Sequence, residues 1–381
     1  MTARITLPGR AEQLEITPPG WASEYLPPAS RRVYAAAHVA SADGGDLVDW
    51  DATLGFRDHL WAHGFAVAEA MDTAQRGMGL SWGLARELIA SSAERAAARR
   101  AAGGYADLAC GAGTDHLAAD GGHPLPAIVD AYAAQLDFVQ STGANVILMA
   151  SRALAKAARS ADDYRDIYGG VLNQVRQPVI LHWLGDMFDP QLAGYWGTSN
   201  LDEAMEVCLG VIEAHREKVD GIKISLLDAQ REIDMRRRLP KGVRMYTGDD
   251  FNYAELIHGD DQGYSDALLG IFDGIAPAAS AALQAFDAGD VASFRDILEP
   301  TVPLSRHIFR KPTHAYKTGI VFLAYLNGHQ DHFRMLGGAE SARTAVHLGE
   351  LIRLADACGL FVDPELAASR ARGVFAVAGI Q

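Results

Sequence analysis

A (β/α)8 barrel followed by a helical C-terminal extension is the fold class the sequence predicts, and three observations predict it. Eight short apolar runs alternate with helical patterns between Val33 and Phe272, the size and rhythm of a closed barrel of about 240 residues. Several runs end in a polar residue, and barrel active sites lie at the C-terminal ends of the strands. After Pro277 the strand signals stop and only helical patterns continue. We divide the 381 residues into a proline-rich arm over 1–32, a barrel over 33–298 and a helical extension over 299–381.

The arm carries Pro8, Pro18, Pro19, Pro27 and Pro28, with short strands at Arg4 to Leu7 and Gln13 to Ile16. Val33 to Val39 is the first barrel strand, and its alternation places Tyr34, Ala36 and His38 on one face. Helix Asp51 to His63 leads to strand Phe65 to Glu69, and helix Leu80 to Arg100 to strand Tyr105 to Cys110. Gly111-Ala-Gly-Thr has too few glycines for a phosphate loop and reads as a tight turn. Helix Leu125 to Thr142 precedes strand Asn145 to Ala150, and helical Leu154 to Val175 precedes the strand ending at His182. The crossover helix Asn200 to Lys218 joins this strand to Val219 to Ser225, so a right-handed βαβ unit sets the two side by side. Helix Leu226 to Leu239, strand Val243 to Thr247, helix Tyr253 to His258 and strand Ala267 to Phe272 complete the barrel. Helical patterns follow at Ala278 to Ala288, Val291 to Leu298, Ala315 to Leu326, Ala339 to Cys358 and Pro364 to Val377.

Composition excludes several classes. Hydrophobic residues make up 49% of the chain, so it buries a large core and is not disordered. A formal net charge of −14 argues against a nucleic-acid partner, which needs a basic face. Cys110, Cys208 and Cys358 are widely spaced, which suggests neither a disulfide framework nor a cysteine zinc site and fits a reducing cytoplasm. The N-terminus lacks the apolar core of a signal segment, and the apolar run Ile320 to Leu326 is too short to span a bilayer, so no membrane association is expected.

The polar residues at the strand ends are His38, Glu69, Asp72, Arg152, His182, Asp186, Lys223, Asp249 and Asp250. With Ile222 and Ile224 turned outward, Lys223 faces the barrel interior, and the same alternation turns His182 inward one strand away. An amine in such a place loses hydration, its pKa falls, and the neutral form can attack a carbonyl to give a Schiff base. An imidazole beside it can move protons. The competing reading makes Lys223 a structural ion pair with Glu69 or Asp186. A divalent-metal site built from His38, Glu69, His182 and Asp186 is a further alternative, although no closely spaced ligand pair supports it. His59 and His63 stand four apart on the first helix, outside the barrel, and read as surface residues.

Gly111-Ala-Gly-Thr, Gly143-Ala-Asn-Val-Ile-Leu, Pro178-Val-Ile-Leu-His, Gly221-Ile-Lys and Tyr246-Thr-Gly-Asp-Asp, with Lys317-Thr-Gly later, resemble the dihydrodipicolinate synthase and N-acetylneuraminate lyase superfamily over roughly residues 33–330. The resemblance implies a barrel with a helical extension, homo-oligomers, and a Schiff-base lysine at Lys223. It also shows departures. His182 stands where the family has a tyrosine, Glu69 to Gly77 replaces the carboxylate-binding Thr-Thr-Gly-Glu turn, and Ala150-Ser-Arg-Ala replaces a tyrosine pair. The chain therefore resembles a divergent branch, without the family's usual residues for pyruvate.

The sequence leads us to expect a cytoplasmic class I lyase or aldolase acting on a small polar keto acid or keto sugar, with no cofactor. Lys223 forms the imine and His182 moves the proton. Glu69, Asp72, Asp186 and Asp249 bind hydroxyls or assist, and Arg76 or Arg152 supplies an anion contact. A metal-dependent aldolase or isomerase and a non-catalytic small-molecule-binding barrel are the alternatives.

Overall fold

The computed structural model describes residues 2–10, 13–18, 20–42, 44–118 and 121–380. An antiparallel hairpin of β1 (Ala3–Thr6) and β2 (Gln13–Ile16) opens the chain. It is fixed to the C-terminal extension, with Arg10 paired to Glu350 and the Thr17 amide donating to Asp356. Eight parallel strands then close a barrel in sequence order: β3 (Val33–Ala36), β4 (Ala66–Glu69), β5 (Leu108–Ala112), β6 (Asn145–Leu148), β7 (Val179–Leu184), β8 (Val219–Ser225), β9 (Arg244–Thr247) and β10 (Asp266–Leu269). The crossovers carry α1 (Trp50–Ala62), α2 (Trp82–Ala101), α3 (Leu125–Ser141), α4 (Arg152–Ala157), α5 (Ala161–Leu172), α6 (Leu201–Ala214), α7 (Ala229–Arg236) and α8 (Tyr253–His258). After β10 come α9 (Ile271–Gly274), α10 (Ala276–Asp287), α11 (Val291–Leu298), α12 (Val302–Ile308), α13 (Tyr316–Leu326), α14 (Ala345–Ala357) and α15 (Pro364–Val377). The (β/α)8 barrel with a helical C-terminal region is thus as expected.

Local chemistry explains where the elements depart from expectation. The helix foreseen over Leu154 to Val175 breaks in two because Ser160 and Asp163 form a capping box that starts α5 afresh. The helix foreseen from Ala339 begins only at Ala345, because Gly337 and Gly338 hold positive φ (66° and 72°) and Thr344 supplies the N-cap. Strand β3 stops at Ala36 because the His38 amide turns to the Asp273 carboxylate, at 2.7 Å, instead of a neighbouring strand. Helix α12 was not foreseen; Pro303 sits in its first turn, where proline is tolerated.

Inside the barrel, Tyr34, Tyr246, Ile147, Ile180 and Leu268 pack against Ala36, Ala66, Ala68 and Ala109, with large side chains filling the space small ones leave. Tyr246 donates to Asp220 at 2.6 Å near the start of β8, so the aromatic plug lies at the N-terminal end. Gly221 is required there, because a Cβ would stand 2.6 Å from the Tyr246 ring. The opposite end is left for polar side chains. Among the described residues no helix is long and apolar enough to cross a membrane. The three cysteines are free and buried.

Candidate active site

Strands β7 and β8 pair in register, with His182 directly opposite Lys223. Both are buried, at 1% and 7% exposure. With Ser225, Asp250, Thr73 and Tyr316 they line an inner chamber. Lys223 makes no hydrogen bond or ion pair among the described residues, with Glu69 and Asp186 or any other carboxylate. Burial lowers its pKa, and the charges of Asp250 and Asp72 pull it partly back. Gly248 makes room for the lysine stem, since a Cβ there would stand 2.7 Å from Lys223 Cε. His182 Nε2 lies 3.3 Å from Ser225 Oγ, and its buried Nδ1 has no partner. Burial, and then the Lys223 charge, hold the imidazole well below its usual pKa, so it is neutral. Asp250 receives the Ile271 amide at 2.9 Å, and burial raises its carboxyl pKa to about 7.

The turn after β4 brings Asp72 and Thr73 to this chamber. Glu69 does not reach it. Its carboxylate lies on the outer side of the barrel, fully buried under α1 in a two-point pair with Arg57 at 2.8 Å, and also takes Ser92 Oγ and the Ala70 amide. Ala70 holds a left-handed φ of 52°, a strained conformation for a residue with a Cβ. Glu69 grips its amide and Arg76 its carbonyl. Arg76 has no donor left for an anion, because its five N–H groups serve Asp115 twice, Ala70 O, Gly111 O and Gln135. Both residues expected at the substrate therefore shape the turn that presents Asp72.

Asp72 is shared by two groups from α13 in the C-terminal extension. Tyr316 donates to its Oδ2 at 2.9 Å and Lys317 Nζ lies 3.1 Å from the same oxygen. Tyr316 also bonds Thr73 at 2.8 Å, and its ring stacks on Phe309 at 4.3 Å. Asp72 and Leu184 also line an outer chamber, with Arg76, Thr114, Arg152 and Asp189 among its walls. Arg152 lies there as expected, but its Nε is paired with Asp189 at 2.5 Å.

Other expected residues lie elsewhere. Asp186 is exposed on the loop after β7, and Asp189, three residues on, takes the place at the chamber wall. Asp249 turns back on its own loop to accept from Phe251 N, Asn252 N and Asn252 Nδ2, while its neighbour Asp250 enters the chamber. His38 leaves the interior face where β3 ends and bonds Asp273 through Nδ1 at 2.8 Å. The four residues of the metal alternative thus do not converge, and no group of three or more candidate ligands is placed for a metal among the described residues. His63 is buried and His59 half-buried against His329, rather than on the surface, because the extension covers this face of α1.

Asp250 was visible as a strand-end carboxylate but could not be told from Asp249 beyond the last residue of β9. Tyr316 carried no signal, and Lys317 stood out only as part of the Lys317-Thr-Gly run, since sequence places both on a tail helix.

The fold has close counterparts among solved structures. Dihydrodipicolinate synthase from Aquifex aeolicus superposes with a TM-score of 0.65 at 13% identity, covering 87% of this chain and 98% of that one. The Oceanobacillus iheyensis enzyme gives 0.61 at 16%, covering 85% and 96%. The Cyanidioschyzon merolae enzyme, solved with lysine bound, gives 0.64 at 15%, covering 87% and 99%. These likenesses establish a shared fold. No curated protein sequence matches the chain. Residues 6–380 match the model of the family described as "Protein of unknown function (DUF993)", and the chain belongs to that family.

Proposed function

We propose that the protein is a class I lyase or aldolase in which Lys223 forms an imine with a neutral, hydroxylated ketone or aldehyde of the keto-sugar type. The observation that carries this reading is the buried Lys223 amine, without a hydrogen bond or ion pair among the described residues, in a pocket with Asp250, whose carboxyl pKa burial raises to about 7, and a neutral His182. The amine adds to the carbonyl carbon, the resulting carbinolamine loses water, and the iminium draws electrons from an adjacent C–H, C–C or C–O bond. Asp250 is suited to protonate the departing hydroxyl, and His182 to take a proton from the adjacent carbon. Tyr316 and Asp72 are suited to hold and deprotonate a substrate hydroxyl.

Charge pairing supports a neutral substrate over a keto acid or sugar phosphate. Among the described residues the cations lining the two chambers are Arg76, Arg152 and Lys223, and both arginines are already matched by carboxylates. Lys317 behind them is spent on Asp72. An added anion would face Asp72, Asp189 and Asp250 with no free cation besides Lys223, which the imine engages, whereas hydroxyls suit carboxylate and hydroxyl partners.

The test is proton exchange in heavy water, followed by NMR, at the carbon next to the carbonyl in neutral keto sugars and hydroxy ketones, keto acids and sugar phosphates. We expect exchange with neutral compounds that disappears in Lys223→Ala. Exchange confined to keto acids would refute the neutral-substrate assignment, and exchange that survives Lys223→Ala would refute the imine.

Two further outcomes follow. Ammonium with carboxylate and amine with carboxylic acid hold the same number of protons, so the reactive neutral form of the Lys223–Asp250 pair is independent of pH between the pair's two apparent pKa values. Asp250→Asn leaves the Lys223 amine to titrate beside a neutral side chain, and the lower apparent pKa of a coupled pair lies below that of either site titrating beside its protonated partner. The acid limb of the rate profile, set in the wild type by that lower value, should therefore move to higher pH; an unmoved limb would separate Asp250 from the lysine. Tyr316→Phe keeps the ring stack on Phe309 but loses the hydroxyl to Asp72 and Thr73. It should lower kcat about 10²-fold with little change in thermal stability, a split that a structural role would not give.

A further inference from the structure

A second, cationic site lies away from the barrel mouth, between the end of α12, the start of α14 and the loop after β1. Arg10, Arg310, Lys311 and Arg343 line one open groove that shares no wall residue with the two chambers. Glu350 is the carboxylate in that wall, and it is already held by Arg10 and Arg353. Arg310 and Lys311 are exposed, and their side chains have no partner among the described residues. In a chain of net charge −14, such a concentration of unmatched positive charge has to be explained.

Two independent observations point to a ligand. His347, in the first turn of α14 and only 8% exposed, lines the groove with its Nε2 buried and unpartnered. Its ring stacks on His307 at 4.1 Å, and its backbone carbonyl meets His307 Nε2 at 2.9 Å. The start of α14 also faces this space, with Thr344 capping the His347 amide, and a helix N-terminus favours an anion. Burial, and then His307, Arg343 and Arg310, hold the His347 pKa down to about 3, so its ring is neutral.

We propose that this groove binds a multiply charged anion of the phosphate class, free or as a small phosphate ester, held by Arg310, Lys311, the His347 Nε2–H and the first turn of α14. Arg343 already ties together the carbonyls of Ile308, Arg310, Lys311 and Pro312, so the turn carrying the two free cations is built rather than loose. This site is independent of the imine chemistry.

Titration calorimetry on the full chain with inorganic phosphate, pyrophosphate and a sugar phosphate, with acetate as control, tests it. We expect saturable one-site binding of at least one phosphate compound and not acetate. Affinity should weaken about tenfold or more in Arg310→Ala/Lys311→Ala, whose exposed positions leave folding intact. Lys223→Ala should bind as the wild type does. Bound anion should also slow amide hydrogen exchange in the peptide spanning residues 308–317. Absence of saturable heat in the wild type, equal affinity in the double variant, or loss of binding in Lys223→Ala would overturn the assignment. A preference for the ester over the free ion would identify a phosphorylated metabolite as the source, and the reverse would identify inorganic phosphate.

Discussion

Lys223→Ala is expected to lower turnover by about 10³-fold or more while leaving the melting temperature unchanged or higher. A buried lysine that made a structural ion pair would behave in the opposite way, because its removal would strand a carboxylate. Here the amine makes no hydrogen bond or ion pair among the described residues, so alanine removes a group whose burial is costly and breaks no contact, losing only the through-space attraction to Asp250 and Asp72. Activity and thermal unfolding, measured on the same preparation, separate the two accounts. A large fall in stability would mean that the lysine is part of the scaffold.

Glu69→Ala should cost about 3–5 kcal/mol of stability, because it leaves Arg57 charged and fully buried without its partner. The same change frees Ser92 and the Ala70 amide, so the strained turn that carries Asp72 loses a support as well. Urea unfolding midpoints would check this, with Asp186→Ala, exposed on its loop, as a substitution expected to change nothing. A stable Glu69→Ala protein with a selectively raised KM would instead return Glu69 to the substrate.

The parts of this site that alternation governs were legible in the sequence. Within β7 and β8 the period of two leaves one inward face, and Lys223 and His182 follow from the outward placing of Ile222, Ile224 and Leu181. Alternation ends where the strand ends. Beyond β9 it could not choose between Asp249 and Asp250, and beyond β7 it could not prefer Asp189 to Asp186. His38 failed for the same reason, because β3 stops at Ala36. Glu69 and Arg76 were misplaced on different grounds. Both are charges of the right kind, Glu69 at the strand end and Arg76 in the turn after it, but a buried arginine on α1 and the Asp115 carboxylate in the turn after β5 use them up. Tyr316 and Lys317 reach Asp72 from 244 and 245 residues away, a contact that no local pattern encodes.

Borohydride trapping tests the central claim most directly. The protein is incubated with a neutral keto sugar that exchanges its protons, reduced, digested and mapped by mass spectrometry. The account predicts one substrate-derived adduct on the peptide containing Lys223, absent from Lys223→Ala. An adduct on the peptide containing Lys317, or exchange that continues with no trapped adduct at all, would contradict it.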